Sequence, residues 1–149
     1  MTETALPIVA LSGGDPAGIG PELCMKAALS SDVAAICRPL MFGDRRVMDS
    51  HAEACGIDIV FDGYQAVSDI DWNAPGAKLV ELDLFGNAPF EMGVINAANG
   101  KASVECGAAA IKAALGKEVG AVVAAPQTEQ SIHLAGIEFD GYPSFVARL

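Results

Sequence analysis

The sequence predicts an α/β fold in which short buried strands alternate with amphipathic helices. Short apolar runs recur along the chain, and most are followed by a stretch whose apolar residues repeat at helical spacing. Glycine, proline and aspartate mark most of the boundaries between the two kinds of segment. The 149 residues, 52% hydrophobic and 19% charged, suffice for one ordinary domain with a real core.

Pro7–Ser12 reads as a buried strand closed by Gly13-Gly14. A helix is expected from Gly20, where Pro21 suits the first turn and Glu22 complements the dipole. It fades near Ser30-Ser31. Leu40–Phe42 is a second strand, and Asp44 caps a helix that runs to Cys55 and stops at Gly56. Ile57–Phe61 is expected as a third strand and Asp62–Gly76 as loop. Lys78–Leu84 alternates, which predicts a strand with one wet face.

Gly86–Gly93 is irregular. Gly100–Leu115 is the best-defined helix, with Val104, Ala108, Ile111 and Leu115 on one stripe. Val119–Ala125 reads as a buried strand stopped by Pro126, followed by a short helix from about Thr128 to Ala135. The final residues, Val146–Leu149, read as helix.

Charge and composition narrow the function. Nine Lys+Arg against nineteen Asp+Glu give a net charge of −10, which argues against nucleic acid and anionic membranes as partners. No apolar run approaches the roughly 18 residues of a membrane span, and the N-terminus lacks the basic n-region of a secretory signal. Cys24, Cys37, Cys55 and Cys106 are scattered, which predicts reduced thiols in a cytoplasmic protein.

Three segments carry candidate chemistry. The first is Gly13-Gly14-Asp15-Pro16-Ala17-Gly18-Ile19-Gly20, between a strand and a helix. Such a loop lets backbone N–H groups approach an anion, yet it matches neither the P-loop nor GxGxxG. A plain strand-to-helix turn with Asp15 as its cap fits the same spacing. The second segment is Pro126-Gln127-Thr128-Glu129, at the carboxyl end of a strand, where open α/β sheets bind ligands. It reads equally as a helix cap, with Ser131 and Glu129 facing solvent.

The third segment is Gly136–Phe145, where a Gly141-Tyr142-Pro143 turn presents Tyr142 and Ser144. Glu138 and Asp140 read as solvated carboxylates, and Ser144 lacks a sequence-adjacent partner for nucleophilic work. His133 has no second ligand at metal spacing and reads as structural.

Taken together, GDPAGIGPE at Asp15–Glu22 (with its leading Gly14), Gly43-Asp44 heading a helix, NGKASVECGAAAIKAAL, the AAP turn at Ala124–Pro126 and the AGI-F-GY pattern at Ala135–Tyr142 resemble the PdxA-like (4-hydroxythreonine-4-phosphate dehydrogenase) family. The GYPSF and EQSIHLAGI stretches look most like its terephthalate cis-dihydrodiol dehydrogenase branch. The resemblance implies a three-layer α/β/α architecture related to isocitrate and isopropylmalate dehydrogenases, of which residues 1–149 form the N-terminal half. It implies a homodimer that oxidises a secondary alcohol of a small anionic substrate with NAD, in some cases with decarboxylation and a divalent metal.

The resemblance places Gly14, Asp15, Pro16, Ala17, Gly18 and Gly20 in a substrate- or cofactor-binding loop, and Thr128, Glu129 and Tyr142 in the catalytic site. Tyr142 stands where the pyridoxal-pathway branch has a metal-ligand histidine, so no metal ligand is expected in this segment. The other reading is a non-catalytic or regulatory domain that binds a small anion at the glycine-rich loop.

Overall fold

The computed structural model describes residues 6–149. Five strands form one parallel sheet: β1 (Ile8–Ser12), β2 (Arg38–Gly43), β3 (Phe61–Tyr64), β4 (Ala77–Glu81) and β5 (Ala121–Ala124), in the order β3-β4-β2-β1-β5. The helices are α1 (Gly20–Ala28), α2 (Ser31–Ala34), α3 (Arg45–Cys55), α4 (Ala97–Leu115), α5 (Glu129–Leu134) and α6 (Tyr142–Arg148). A single 3-10 turn spans Val67–Asp69.

The sheet is covered on both faces, which gives the three-layer α/β/α arrangement. Leu11, Met41 and Leu79 meet Cys24 and Met25 of α1 and Met48 of α3 on one face. Ala10, Leu40, Phe42 and Val80 meet Cys106, Ala110 and Ala113 of α4 on the other. Outside α4 lies a further layer, where Val104 and Ile111 pack on Ile132, Phe139 and Phe145. α4 is therefore buried along two stripes. The stripe read from the sequence is the outer one, and its last member, Leu115, projects 63% exposed.

Local chemistry starts and stops these elements as expected. Asp44 caps α3 by accepting the Arg46 N–H at 3.0 Å, and its second oxygen accepts the Leu84 N–H at 3.2 Å. Gly56 ends α3 in the left-handed region, with φ 63°. α4 begins earlier than expected because Asn96 caps it, accepting the Asn99 N–H at 2.8 Å.

Four expectations need correction. The third strand lies at Phe61–Tyr64, inside the stretch expected to be loop. Residues 57–60 are consumed in leaving α3: the Ile57 N–H bonds to the Ala52 carbonyl, and laddering starts at Phe61↔Ala77. The fourth strand stops at Glu81 and has no wet face in its interior, because Lys78, Leu79 and Val80 are all buried between β2 and β3. Lys78 is tolerated there by pairing with Asp62 at 2.5 Å and the Ala74 carbonyl at 2.7 Å.

β5 is an edge strand with Val123 56% exposed, although its flanks Val119 and Ala125 are buried. Ser131, which the helix-cap reading turns toward solvent, is buried against Gly100 where α5 crosses α4. All four cysteines are free, and among the described residues no helix is long and apolar enough to cross a membrane.

Two glycines of α4 predict opposite effects of the same substitution. A Cβ at Gly100 would overlap the Ser131 carbonyl, whereas one at Gly107 would meet its nearest neighbours at an ordinary 3.5–3.6 Å. Gly100→Ala is expected to destabilise by about 2 kcal/mol or more through forced separation of α4 and α5. Gly107→Ala should be neutral or stabilising by up to about 1 kcal/mol through helix propensity. Urea unfolding of the two variants checks the contrast.

Candidate active site

β1 has β2 on one side and β5 on the other, so the chain order reverses at the β1/β5 boundary. In open parallel sheets the crevice at the carboxyl ends of such strands is the usual ligand position. Two loops meet there, Gly13–Ile19 after β1 and Ala125–Thr128 after β5. The Asp15 N–H donates to the Pro126 carbonyl at 3.0 Å. Gly14 takes φ +68°, and a Cβ on it would sit 2.5 Å from the same carbonyl oxygen.

The first loop is packed inward rather than held open. Gly13 through Pro16 are buried, and Ala17 and Gly18 are partly so. The N–H groups of Gly13, Asp15, Ala17 and Gly18 donate to the Phe42 carbonyl, the Pro126 carbonyl, the Asp15 carboxylate and the Asp15 carbonyl. His51 of α3 donates to the Pro16 carbonyl at 2.7 Å, and the Gly93 N–H to the Ala17 carbonyl at 2.9 Å. Four donors that an anion could use are thus spent inside the protein. The Ala17–Ile19 rim is what the loop turns outward.

The second loop is organised differently. Gln127 donates through Nε2 to the Ser103 carbonyl of α4 at 3.1 Å. Thr128 occupies the N-cap position of α5, yet its side chain makes no capping bond. The hydroxyl is left for other partners. Glu129 opens the first turn of α5 and is exposed.

The family model described as "Pyridoxal phosphate biosynthetic protein PdxA" matches residues 35–149. This chain belongs to the PdxA family. It is 28% identical over 145 residues to a D-threonate 4-phosphate dehydrogenase of Cupriavidus necator, covering 97% of this chain and 43% of that protein.

Among solved structures, a 4-hydroxythreonine-4-phosphate dehydrogenase from Burkholderia phymatum superposes with a TM-score of 0.88 at 23% identity, over 97% of this chain and 44% of that one. A terephthalate 1,2-cis-dihydrodioldehydrogenase from Burkholderia xenovorans LB400 gives 0.72 at 33% identity, over 96% and 40%. The chain thus spans less than half the length of the relatives it matches.

Within this PdxA-family chain, Tyr142 is the first residue of α6. Its ring stacks edge-on against Phe139, with centroids 6.0 Å apart and planes at 82°. The phenol oxygen is buried against the open side of Gly107 and has no hydrogen-bond partner among the described residues. Burial pushes its pKa up to about 12. At neutral pH it is an uncharged phenol and not a base.

The carboxylates of this segment are solvated, as the sequence suggests. The Ser144 hydroxyl beside Asp140 holds that carboxyl below its ordinary value, and Arg148 pairs with it at 3.2 Å. His133 is bonded to the Phe139 carbonyl at 2.9 Å. Among the described residues no three His, Cys, Asp or Glu stand together, so these residues do not make up a metal site.

The fold brings Asp15 and Thr128 to one crevice, with Glu129 beside Thr128. It sets the Tyr142 phenol against Gly107 of α4, close to buried Ser12 of β1. Sequence reading passed over His51 altogether, and it gave no role to Gln127 or to the buried Ser12–Cys106 pair, although Gln127 and Cys106 lie inside the quoted segments. Each acquires its contact only through tertiary folding.

The Tyr142 shift has a measurable consequence. An unfolded tyrosine loses its proton near pH 10, whereas this one holds it to about 12, so the folded state binds more protons in between. Stability should be intact below that window and fall as pH rises through it. Cys24, also raised to about 12 by burial, adds a similar loss that begins nearer pH 9. Urea titrations between pH 9 and 12 should show a shallower decline for Tyr142→Phe than for the wild type.

Proposed function

We propose that this chain is the N-terminal share of an NAD-dependent dehydrogenase that oxidises a secondary alcohol of a small anionic substrate, with loss of CO2 where the product permits it. The observation that carries the reading is the uncommitted Thr128 hydroxyl beside exposed Glu129, held by the Gly14–Pro126 contact at the sheet's switch point. Relatives matched across nearly the whole chain are named dehydrogenases, which supports the class.

In this reading Thr128 binds a substrate oxygen and Glu129 takes the proton that the alcohol loses. Tyr142 forms a neutral wall behind them, and Asp15 with Gly14, Pro16, Ala17, Gly18 and Gly20 shapes the opposite rim. NAD supplies the hydride acceptor. Four N–H groups of the first loop are spent inside the protein, and the cofactor's main contacts are assigned to the remainder of the enzyme. A divalent metal would take its ligands there too. The same reading makes the enzyme a cytoplasmic homodimer.

Two substrate types match the relatives' names, a 4-hydroxythreonine-4-phosphate or threonate phosphate and a cis-dihydrodiol dicarboxylate. The second is favoured by the 33% identity to the terephthalate dihydrodiol enzyme and by the aromatic cluster of Phe139, Tyr142 and Phe145. Non-catalytic anion binding at the glycine-rich loop has less support, because that loop's donors are largely satisfied internally.

The test is NADH formation by the full-length protein with each substrate type. Preference for the dihydrodiol is expected, and no turnover with any of them would defeat the dehydrogenase reading. Thr128→Val should lower kcat/KM at least about tenfold, the scale of one lost hydrogen bond to substrate. Tyr142→Phe should leave the protein folded but reduce turnover or affinity. Unchanged kinetics would remove the substituted residue from the site.

A further inference from the structure

Gln127 separates buried Ala125 and exposed Pro126 from the Thr128-Glu129 pair, and its amide is only half satisfied. Nε2 donates to the Ser103 carbonyl at 3.1 Å, while Oε1 is buried with no partner among the described residues. A buried carbonyl oxygen left without a donor is destabilising by itself. A residue kept purely for stability would more economically be apolar at this place. The bond that Gln127 does make runs from the turn after β5 to the backbone of α4, across the open side of Gly107.

The rest of α5 does not need that bond to stay docked. Buried Ser131 lies against Gly100, and Ile132 is buried with Val104 and Ile111 of α4. The tether therefore acts on the turn alone. We infer that Gln127 is a positioning residue, which fixes the turn so that Thr128 and Glu129 face the β1/β5 crevice. Its kinetic arm rests on the dehydrogenase reading, and its structural arm does not.

The experiment uses Gln127→Met in the full-length protein, a side chain of similar length with no donor and only a weak acceptor. The Ile132 N–H, which donates to the Thr128 carbonyl at 3.2 Å, should exchange with deuterium about tenfold faster or more in the variant. Its melting temperature should equal or exceed that of the wild type, because an orphaned oxygen is removed along with the bond. With the substrate that the wild type turns over, kcat/KM should fall about tenfold or more, since small misplacements of reacting groups are costly.

Faster exchange and slower turnover at undiminished stability support positioning. Unaltered Ile132 exchange overturns the tether whatever the activity. A lowered melting temperature with unaltered kcat/KM overturns it as well, leaving Gln127 a structural role only. If the wild type reduces NAD with none of the substrates, the dehydrogenase reading fails and the exchange result alone decides Gln127.

Discussion

The approach of the Gly14 backbone to Pro126 is the constraint on which the rest of this fold depends. A side chain at residue 14 would meet the Pro126 carbonyl oxygen at 2.5 Å and Ala125 at 3.0 Å. Removing the Cβ lets the loop after β1 lie directly against the turn after β5, and the Asp15 N–H then closes onto the same carbonyl. Gly20 repeats the device one step on, since a Cβ there would overlap the Gly13 carbonyl. α1 can therefore start tight against the strand it follows. Two strands distant in sequence are held with their carboxyl ends in register, and a crevice results.

α4 makes that crevice rigid. Its inner stripe, Cys106, Ala110 and Ala113, lies on the sheet, and its small residues Gly100 and Gly107 admit α5 and the Tyr142 tip on the other side. Asn99, fully buried, donates to the Glu91 and Val94 carbonyls at 2.9 Å each and so fixes the loop that bonds to Ala17. One helix thus braces the β1 loop, the β5 turn and the segment before itself. Its weak amphipathicity follows from having two buried sides rather than one.

What could be read from the sequence was what local chemistry decides. Asp44 and Gly56 bound α3 through a cap and a left-handed stop that need no tertiary partner. Pro21 and the glycines before it marked the start of α1 for the same reason. The third strand was misplaced because Ile57 and Ile59 are apolar for packing, not for pairing, and hydrophobicity does not distinguish the two. The exposure of β5 was hidden because an apolar strand reads as buried whether or not its neighbour is present.

The two loops stood out as motifs, and the fold brings them together at the carboxyl ends of β1 and β5. That the first loop spends its donors internally was not visible, since the acceptors come from residues 42 and 126 as well as from Asp15 itself. Gln127 lay inside the second motif, but its contact was hidden for a related reason. Its role depends on the carbonyl of Ser103, twenty-four positions away in sequence.

The cations of this chain are mostly paired with carboxylates or set away from the β1/β5 crevice. Of nine Lys and Arg residues, six stand within salt-bridge distance of carboxylates: Lys26, Arg45, Arg46, Lys78, Lys101 and Arg148. Arg38 lies over the Trp72 ring at the amino end of β2, and Lys112 and Lys117 lie at and beyond the last turn of α4. α4 runs back across the parallel sheet, so that last turn is also at the strands' amino side. None of the three stands at the crevice, where Glu129 adds a negative charge. On the proposed dehydrogenase reading, an anionic substrate would need cations from the rest of the enzyme opposite this wall. On that reading this wall takes the neutral, hydroxyl-bearing part of the substrate, and the substrate's charge falls to the opposite wall.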